Sequence, residues 1–417
     1  MRKFFAYSFI FLTCLSTHAQ KFEGLAMTPP MGWNSWNTFE TNINEQLVKQ
    51  TADIMVSSGM KDAGYQYIVL DDGWMAKERD SITGDLVPDP LKFPHGMKVV
   101  VDYVHAKGLK FGLYNCAGTK TCAGYPGTRG YEYQDARFYA SLGIDYLKYD
   151  WCNTEGITAK DAYTTMSKAL KAARRPMVFS LCEWGTYQPW EWAAPVGHLW
   201  RISGDIYPCF DCEFSHGSWS SWGVMRIVDM RKNTELYAGP DHWNDFDMME
   251  VGNGMNQNED RAHFSIWCML ASPLIAGNDL RSMKKETLAI LTNKNVIAIN
   301  QDQRGMQAFR SKQKDNDSVD MWVKPLKEGL AVCFINRSAK PVLLKHAWNN
   351  ITYTTPNQPP LRPGEKREDG DDATITFSTS QPLRIWDVWK NAQIGTTANS
   401  LSATIQPHDV LLLKLSQ

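Results

Sequence analysis

The sequence has almost no surplus of charge of either sign: 44 Lys and Arg against 45 Asp and Glu leave a formal net charge of -1 over 417 residues. That balance offers no electrostatic footprint for nucleic acid or an anionic membrane surface, so neutral partners are expected. Several catalytic signatures are also missing: there is no H-E-x-x-H, no P-loop, no G-x-G-x-x-G opening a βαβ unit and no G-x-S-x-G elbow. The 9 histidines are scattered without ligand spacing, and His242 beside Trp243 reads as structural. Neither a metal nor a cofactor is therefore expected. Beyond residue 20 no stretch is apolar enough for a membrane helix, and no solenoid repeat or low-complexity tract occurs.

What is present begins with a targeting pattern. Residues 1–20, MRKFFAYSFIFLTCLSTHAQ, place Arg2 and Lys3 before an apolar run from Phe4 to Leu15 and a small-residue exit. This reads as a secretory signal peptide cut near Ala19, with a periplasmic or extracellular destination. Cys14 as a lipoprotein cysteine fits poorly with Leu12 and Thr13 before it. Eight further cysteines remain: Cys116, Cys122, Cys152, Cys182, Cys209, Cys212, Cys268 and Cys333. Export permits disulfides. Cys209 and Cys212 form a lone C-x-x-C without two more zinc ligands nearby, so a loop disulfide or free thiols is expected.

A recurring unit organises the next part of the chain: a helical stretch, a glycine, a short apolar strand, then a polar or acidic residue. It appears as KDAGYQYIVLDDGW, HAKGLKFGLYNC, SLGIDYLKYDWC and, with Pro176 replacing glycine, RRPMVFSLCEWG. Helical spacing lies between, as with Leu47, Ile54 and Met55 in NEQLVKQTADIMVSSG. Further strand candidates are LAMTPPMGW, HLWRISGDI, ELYAGP and SPLIAGND, which bring the total to eight. Strand alternating with helix means a parallel sheet, and eight units in roughly 280 residues predict a (β/α)8 TIM barrel over residues 20–305. From residue 306 to 417 the pattern changes to short alternating strands (VDMWVKPL, GLAVCFIN, PLRIWDVW, DVLLLKLS), predicting a C-terminal antiparallel β-sandwich.

In such a barrel the site lies at the C-terminal ends of the strands. Those ends carry Trp33, Asp71 and Asp72, Tyr114, Lys148 and Asp150, Cys182, Glu183 and Trp184, Arg201 and Asp205, and Asp245 with Asp247. In LKYDWCN, Lys148 and Asp150 are two residues apart and share one strand face. A lone acidic strand end is readily a helix N-cap, and a lone Lys–Asp pair is readily structural. This density of carboxylates around one rim, with aromatics between them, exceeds what capping explains. Paired carboxylates in an aromatic-walled pocket suit glycosidic bond cleavage. The 16 Trp and 16 Tyr agree with stacking on sugars, although aromatics are more often plain core.

The motifs MGWNSW, LDDGW, KTCAGYPG, YLKYDWC, LCEWG, WRISGDI and AGPDHWNDFDM, in this order, resemble those of the retaining α-galactosidases of glycoside hydrolase family 27. The resemblance runs from about residue 27 to residue 302, with a β-domain after it as in the family. It implies that Asp150 is the nucleophile and Asp205 the general acid/base, with Asp150 kept ionised by Lys148. It also implies substrate contacts: Asp71 and Asp72 to the O4 and O6 side of galactose, Trp33 on the apolar flank, Tyr114 and Lys148 at the floor. Arg201 and Asp247 would take the O2 side, and Cys122–Cys152 would form a disulfide anchoring the strand end of Asp150. Met248 could be either structural or part of the site.

By the same resemblance, bulky Cys182 and Trp184 would stand where an N-acetyl group on C2 projects, and the Asp71/Asp72 pair would favour a sugar with a C6 hydroxyl. The implied substrates are galactose-containing oligosaccharides or polysaccharides. The rivals are a β-L-arabinopyranosidase, an α-N-acetylgalactosaminidase, or a sugar-binding protein without catalysis. Two features depart from the family: the long aromatic segment YPCFDCEFSHGSWSSW after Asp205, placed on the leaving-group side of the cleft, and Cys116.

Overall fold

The computed structural model describes residues 21–230, 234–311, 316–348, 351–356, 372–377 and 381–417; residues 1–20, on which the expectation of a signal peptide falls, lie outside them. Its first sheet contains β1 (Met31–Asn34), β2 (Tyr67–Val69), β3 (Lys110–Cys116), β4 (Tyr146–Asp150), β5 (Val178–Cys182), β6 (Leu199–Arg201), β7 (Trp243–Asp245) and β8 (Leu274–Ala276). These eight strands run in the order β8-β1-β2-β3-β4-β5-β6-β7, every neighbouring pair parallel. The sheet curls as a TIM barrel does. At the seam, the segment after β7 completes the pairing: Met249 N–H donates to the Ile275 carbonyl (2.7 Å) and Gly277 N–H to that of Met249 (3.1 Å).

The seventh strand differs from expectation. ELYAGP is not extended; residues Thr234–Tyr237 form a 3-10 turn, and the strand begins later, at Trp243. The cause is local: Gly239 and His242 exchange backbone hydrogen bonds across Pro240 and Asp241, with Asp241 at a φ of 71°. That tight turn leaves only the next residues free to pair with β6.

Helices connect most strands, among them α1 (Glu45–Ser57), α2 (Met97–Ala106), α3 (Glu132–Leu142), α4 (Ala159–Ala172), α5 (Val224–Met230) and α6 (Gln257–Met269). α1 starts where the Asn44 side chain accepts the Leu47 N–H, and it buries Leu47, Val48, Thr51, Ala52 and Met55 along one stripe. Between β5 and β6 the connection holds only a 3-10 turn, Pro189–Glu191. Among the described residues no helix is long and apolar enough to cross a membrane.

Side-chain alternation along the strands divides the barrel into an apolar base and a charged rim. Tyr67, Val69, Tyr146, Val178, Leu199 and Trp243 cluster in the interior. Counting in steps of two from these residues reaches Asp71, Lys148 and Asp150, Cys182, Arg201 and Asp245. The intervening Ile68, Leu147, Tyr149, Phe179, Leu181 and Trp200 face the helices. Gly32 belongs to the interior face: it pairs with the inward-facing Tyr67, whose Cβ a Cβ at Gly32 would meet at 2.8 Å, and whose carbonyl oxygen it would meet at 2.4 Å.

The second domain contains β9 (Phe309–Arg310), β10 (Val319–Pro325), β11 (Leu330–Asn336), β12 (Val342–His346), β13 (Ile351–Pro356), β14 (Asp372–Phe377), β15 (Arg384–Asp387), β16 (Ala392–Thr396), β17 (Leu401–Ile405) and β18 (Val410–Ser416). An antiparallel sheet runs β9-β10-β11-β18-β15-β16, with β12–β17 and β13–β14 as separate ribbons. The same period of two splits its faces. Val319, Met321, Val323, Val332, Phe334, Leu411 and Leu413 pack with Leu344, Leu401 and Ile405 of the β12–β17 ribbon, which makes the sandwich. Trp322, Cys333, Ile335 and Leu412 join the barrel's core instead. Lys324 Nζ donates to the Cys268 carbonyl (3.0 Å) and Arg261 pairs with Asp409, so α6 is the seat of the sheet.

Replacing Gly32 by Ala is expected to destabilise the barrel by about 1–3 kcal/mol through overpacking, lowering the thermal midpoint by roughly 2–10 °C. Calorimetry of both proteins checks this; an unchanged midpoint would show that β1 and β2 can separate freely.

Candidate active site

The rim charges are paired across strands. Lys148 Nζ lies 2.7 Å from Asp71 Oδ2, which also accepts from Asn34 Nδ2 at 2.8 Å. Burial opposes the Lys148 charge, but Asp71 beside it holds its pKa well above the ordinary lysine value. Arg201 is the second cation, with Nη2 at 2.8 Å from Asp247 Oδ2 and 3.0 Å from Asp205 Oδ1. Asp247 sits at a φ of 82° and accepts the Ile206 N–H at 2.9 Å, tying the seam after β7 to the segment carrying Asp205. Burial raises the pKa of Asp247, with Arg201 opposing.

Asp150 closes β4. It is buried, accepts the Trp151 N–H at 2.8 Å, and its pKa is pushed up to about 7, first by burial and then by the charge of Asp205; Lys148 opposes the rise. Lys148 does not bond Asp150 directly, as its ammonium is committed to Asp71. The expected protection of the ionised form is therefore partial: a charge acting along one strand face against a larger desolvation cost. Asp205 is the open member of the pair, its side chain 40% exposed.

Disulfide Cys122–Cys152 forms with a Cα separation of 5.2 Å, and its sulfurs lie within 4.8 Å of a carboxylate oxygen of Asp150. Tyr114, buried, donates its hydroxyl to Cys122 Sγ (3.3 Å), and Lys148 Nζ stands 5.2 Å from the Tyr114 ring centre. Cys116 also acquires a role: its thiol donates to the Cys152 carbonyl at 2.9 Å, holding the bridge from behind. Asp72 accepts from the amides of Gly73 (2.7 Å) and Ala123 (2.8 Å), so it fastens the disulfide loop to the end of β2. Burial raises its pKa while the Ala123 amide opposes. Cys182 is buried behind Arg201, whose Nη1 lies 3.7 Å from the sulfur. Trp184 is half-buried at a φ of 60°, and its neighbour Glu183 accepts the Tyr187 N–H at 2.6 Å.

One predicted contact is corrected. Trp33 is 0% exposed, with its indole N–H on the Asn278 carbonyl (2.8 Å) and its ring against Phe39. It alternates with Gly32 and Asn34, which face inward, so its ring points to the helices and cannot cover a sugar. The partly exposed tryptophan of MGWNSW is Trp36, whose backbone N–H donates to Asn34 Oδ1 (2.8 Å). Asn34 thus links Trp36 to Asp71. The strand period of two was the signal that could have separated the two indoles. Cys209 and Cys212 form a disulfide, with Cα atoms 6.1 Å apart.

Residues 28–302 match the family described as alpha galactosidase A, and residues 316–415 match the alpha galactosidase C-terminal beta sandwich domain. The chain is 52% identical over 406 residues to alpha-galactosidase A of Cellvibrio japonicus, covering 97% of this chain and 96% of that relative. The chain belongs to the α-galactosidase family. Among solved α-galactosidases, the enzyme I of Mortierella vinacea superposes with a TM-score of 0.82 at 37% identity, covering 94% of this chain and 98% of that one. The Saccharomyces cerevisiae enzyme with raffinose gives 0.81 at 31% identity, covering 95% and 99%.

The raised pKa of Asp150 has a stability consequence whose sign is fixed. The folded state holds a proton up to about pH 7, whereas an unfolded aspartate releases it near pH ~4. Stability is thus lost as pH rises through that window. Asp150→Asn, which keeps the Trp151 contact, is expected to raise the thermal midpoint at pH 7.5, with the gain shrinking towards pH 4.5. Equal midpoints at both pH values would contradict the burial cost.

Proposed function

We propose that this family member hydrolyses terminal α-D-galactosides by double displacement, with Asp150 as nucleophile and Asp205 as acid/base. The observation that carries the assignment is the asymmetry of the two carboxyls. Asp150 is buried and oriented by the Trp151 amide, as a nucleophile must be, whereas Asp205 has its side chain 40% exposed, open to exchange protons with water. Ionised Asp150 attacks C1 while Asp205 gives its proton to the glycosidic oxygen, and the leaving group departs. Asp205 then takes a proton from a water that attacks C1 and releases Asp150. Two inversions retain the anomeric configuration, which calls for carboxyls about 5–5.5 Å apart.

Arg201 fits a dual task. Its guanidinium sits between Asp205 and Asp247, where it would favour the carboxylate form of Asp205 after proton donation and steady the O2 side of the ring. Lys148 and Asp71 would meet the sugar hydroxyls, with Asp72 holding the loop beside them. Trp36 replaces Trp33 as the aromatic flank in this reading. Tyr114 shapes the floor from beneath, and Cys182 with Trp184 would leave no room for a C2 acetamido group. The same reading keeps residues 20–305 as the catalytic domain, 306–417 as the β-domain, and export after cleavage near Ala19.

Incubation with p-nitrophenyl α-D-galactoside, p-nitrophenyl β-L-arabinopyranoside and p-nitrophenyl α-N-acetylgalactosaminide is expected to give turnover chiefly on the first, with proton NMR detecting α-galactose before mutarotation. Asp150→Asn should lose at least ~10³-fold in kcat while still binding galactose; full activity in that variant removes the assignment. Asp205→Ala should be rescued by azide, which needs no general base, giving α-galactosyl azide. Failure of rescue together with normal hydrolysis would move the acid/base elsewhere.

A further inference from the structure

The segment after Asp205 is more than a connection. Strands Glu213–Ser215 and Ser220–Trp222 form a hairpin whose Trp222 N–H donates to the Asp205 carbonyl (3.0 Å), while Tyr207 N–H donates to the Trp222 carbonyl (2.9 Å). The ring of Trp222 lies against Gly204, where a Cβ would come within 2.2 Å of it. Disulfide Cys209–Cys212 closes the base. The hairpin is therefore fixed to the backbone of Asp205 itself.

Its aromatic side chains form a continuous row. Tyr207 stacks on Phe214 with ring centres 4.4 Å apart and planes at 4°; Phe214 meets His216 at 4.9 Å; His216 stacks on Trp219 at 3.8 Å. The row starts two residues from Asp205 and ends in solvent, with Phe214 42% and Trp219 50% exposed. Large aromatics left half in water at this density need a partner for their faces. The flat apolar face of a pyranose suits them.

We propose that this row is a platform for the leaving group: it stacks sugar units of a galactosylated oligosaccharide or polysaccharide beyond the unit bonded to galactose. The inference rests on Asp205 being the acid/base, because the residue that protonates the glycosidic oxygen must stand beside the leaving group. Longer galactosides should then bind through Trp219 and Phe214, while a leaving group of one ring reaches only the start of the row.

The test compares kcat/KM for a galactosylated mannan oligosaccharide and for p-nitrophenyl α-D-galactoside, in the native enzyme and in Trp219→Ala, Phe214→Ala and Trp219→Phe. Each alanine variant is expected to lower the oligosaccharide-to-aryl ratio by roughly threefold to tenfold, mainly through KM, as the loss of one aromatic contact implies. Trp219→Phe should restore most of it. An unchanged ratio overturns the platform, as does an equal fall on both substrates, which would make the hairpin only a brace for Asp205. Concentration-dependent self-association lost in Trp219→Ala, with the ratio unchanged, would assign the row to a contact between copies and overturn it too. Absence of aryl galactoside turnover in the native enzyme is a separate outcome that removes the hydrolase reading itself.

Discussion

The barrel rim exists because its buried charges neutralise one another. Asp71, Asp150, Asp245 and Asp247, with the partly exposed Asp205 beside them, would be ruinous in a protein interior if they met only each other. Two cations make the cluster tolerable, Lys148 on Asp71 at 2.7 Å and Arg201 between Asp247 and Asp205 at 2.8 and 3.0 Å. The compensation is incomplete. Asp150 carries a pKa near 7 and Asp245 one near 6, each raised first by burial. The rim stores a cost that the remainder of the fold must cover, as sites with closely opposed carboxylates generally require.

The surroundings are built to hold that cluster still. The Cys122–Cys152 bridge, the Cys116 thiol behind it and the Asp72 carboxylate in front tie three strand ends to one loop. On the opposite side, Asp247 in a left-handed conformation reaches the Ile206 amide, and the same seam completes the barrel through Met249. The segment that closes the sheet is thus also the segment that holds the Asp205 region in place. Conformational cost at Asp247 is offset by hydrogen bonds that a regular strand could not supply.

Much of this was legible from the chain. The spacing of strand, helix and acidic strand end announced a barrel, and the change to alternating short strands announced a second layer. Lys148 and Asp150 on one face followed from their separation of two residues. Less legible was which member of a local pair faces inward. Trp33 and Trp36 are three residues apart in one motif, and only the register of β1 sends the first to the helices. ELYAGP had the composition of a strand, but the turn at Pro240 and Asp241 moved the strand to Trp243.

Sequence alone therefore determined what depends on local order: the period of two that places polar residues above apolar ones in each strand, the helix starts, and the family to which the motifs point. Tertiary structure decided the partners. That Lys148 bonds Asp71 and not its neighbour Asp150, that Arg201 serves two aspartates, and that Cys116 supports a bridge thirty residues wide are consequences of closure. Strands far apart in the chain meet at one rim, and the distances between their ends are set by the curl of the sheet, which no single segment encodes.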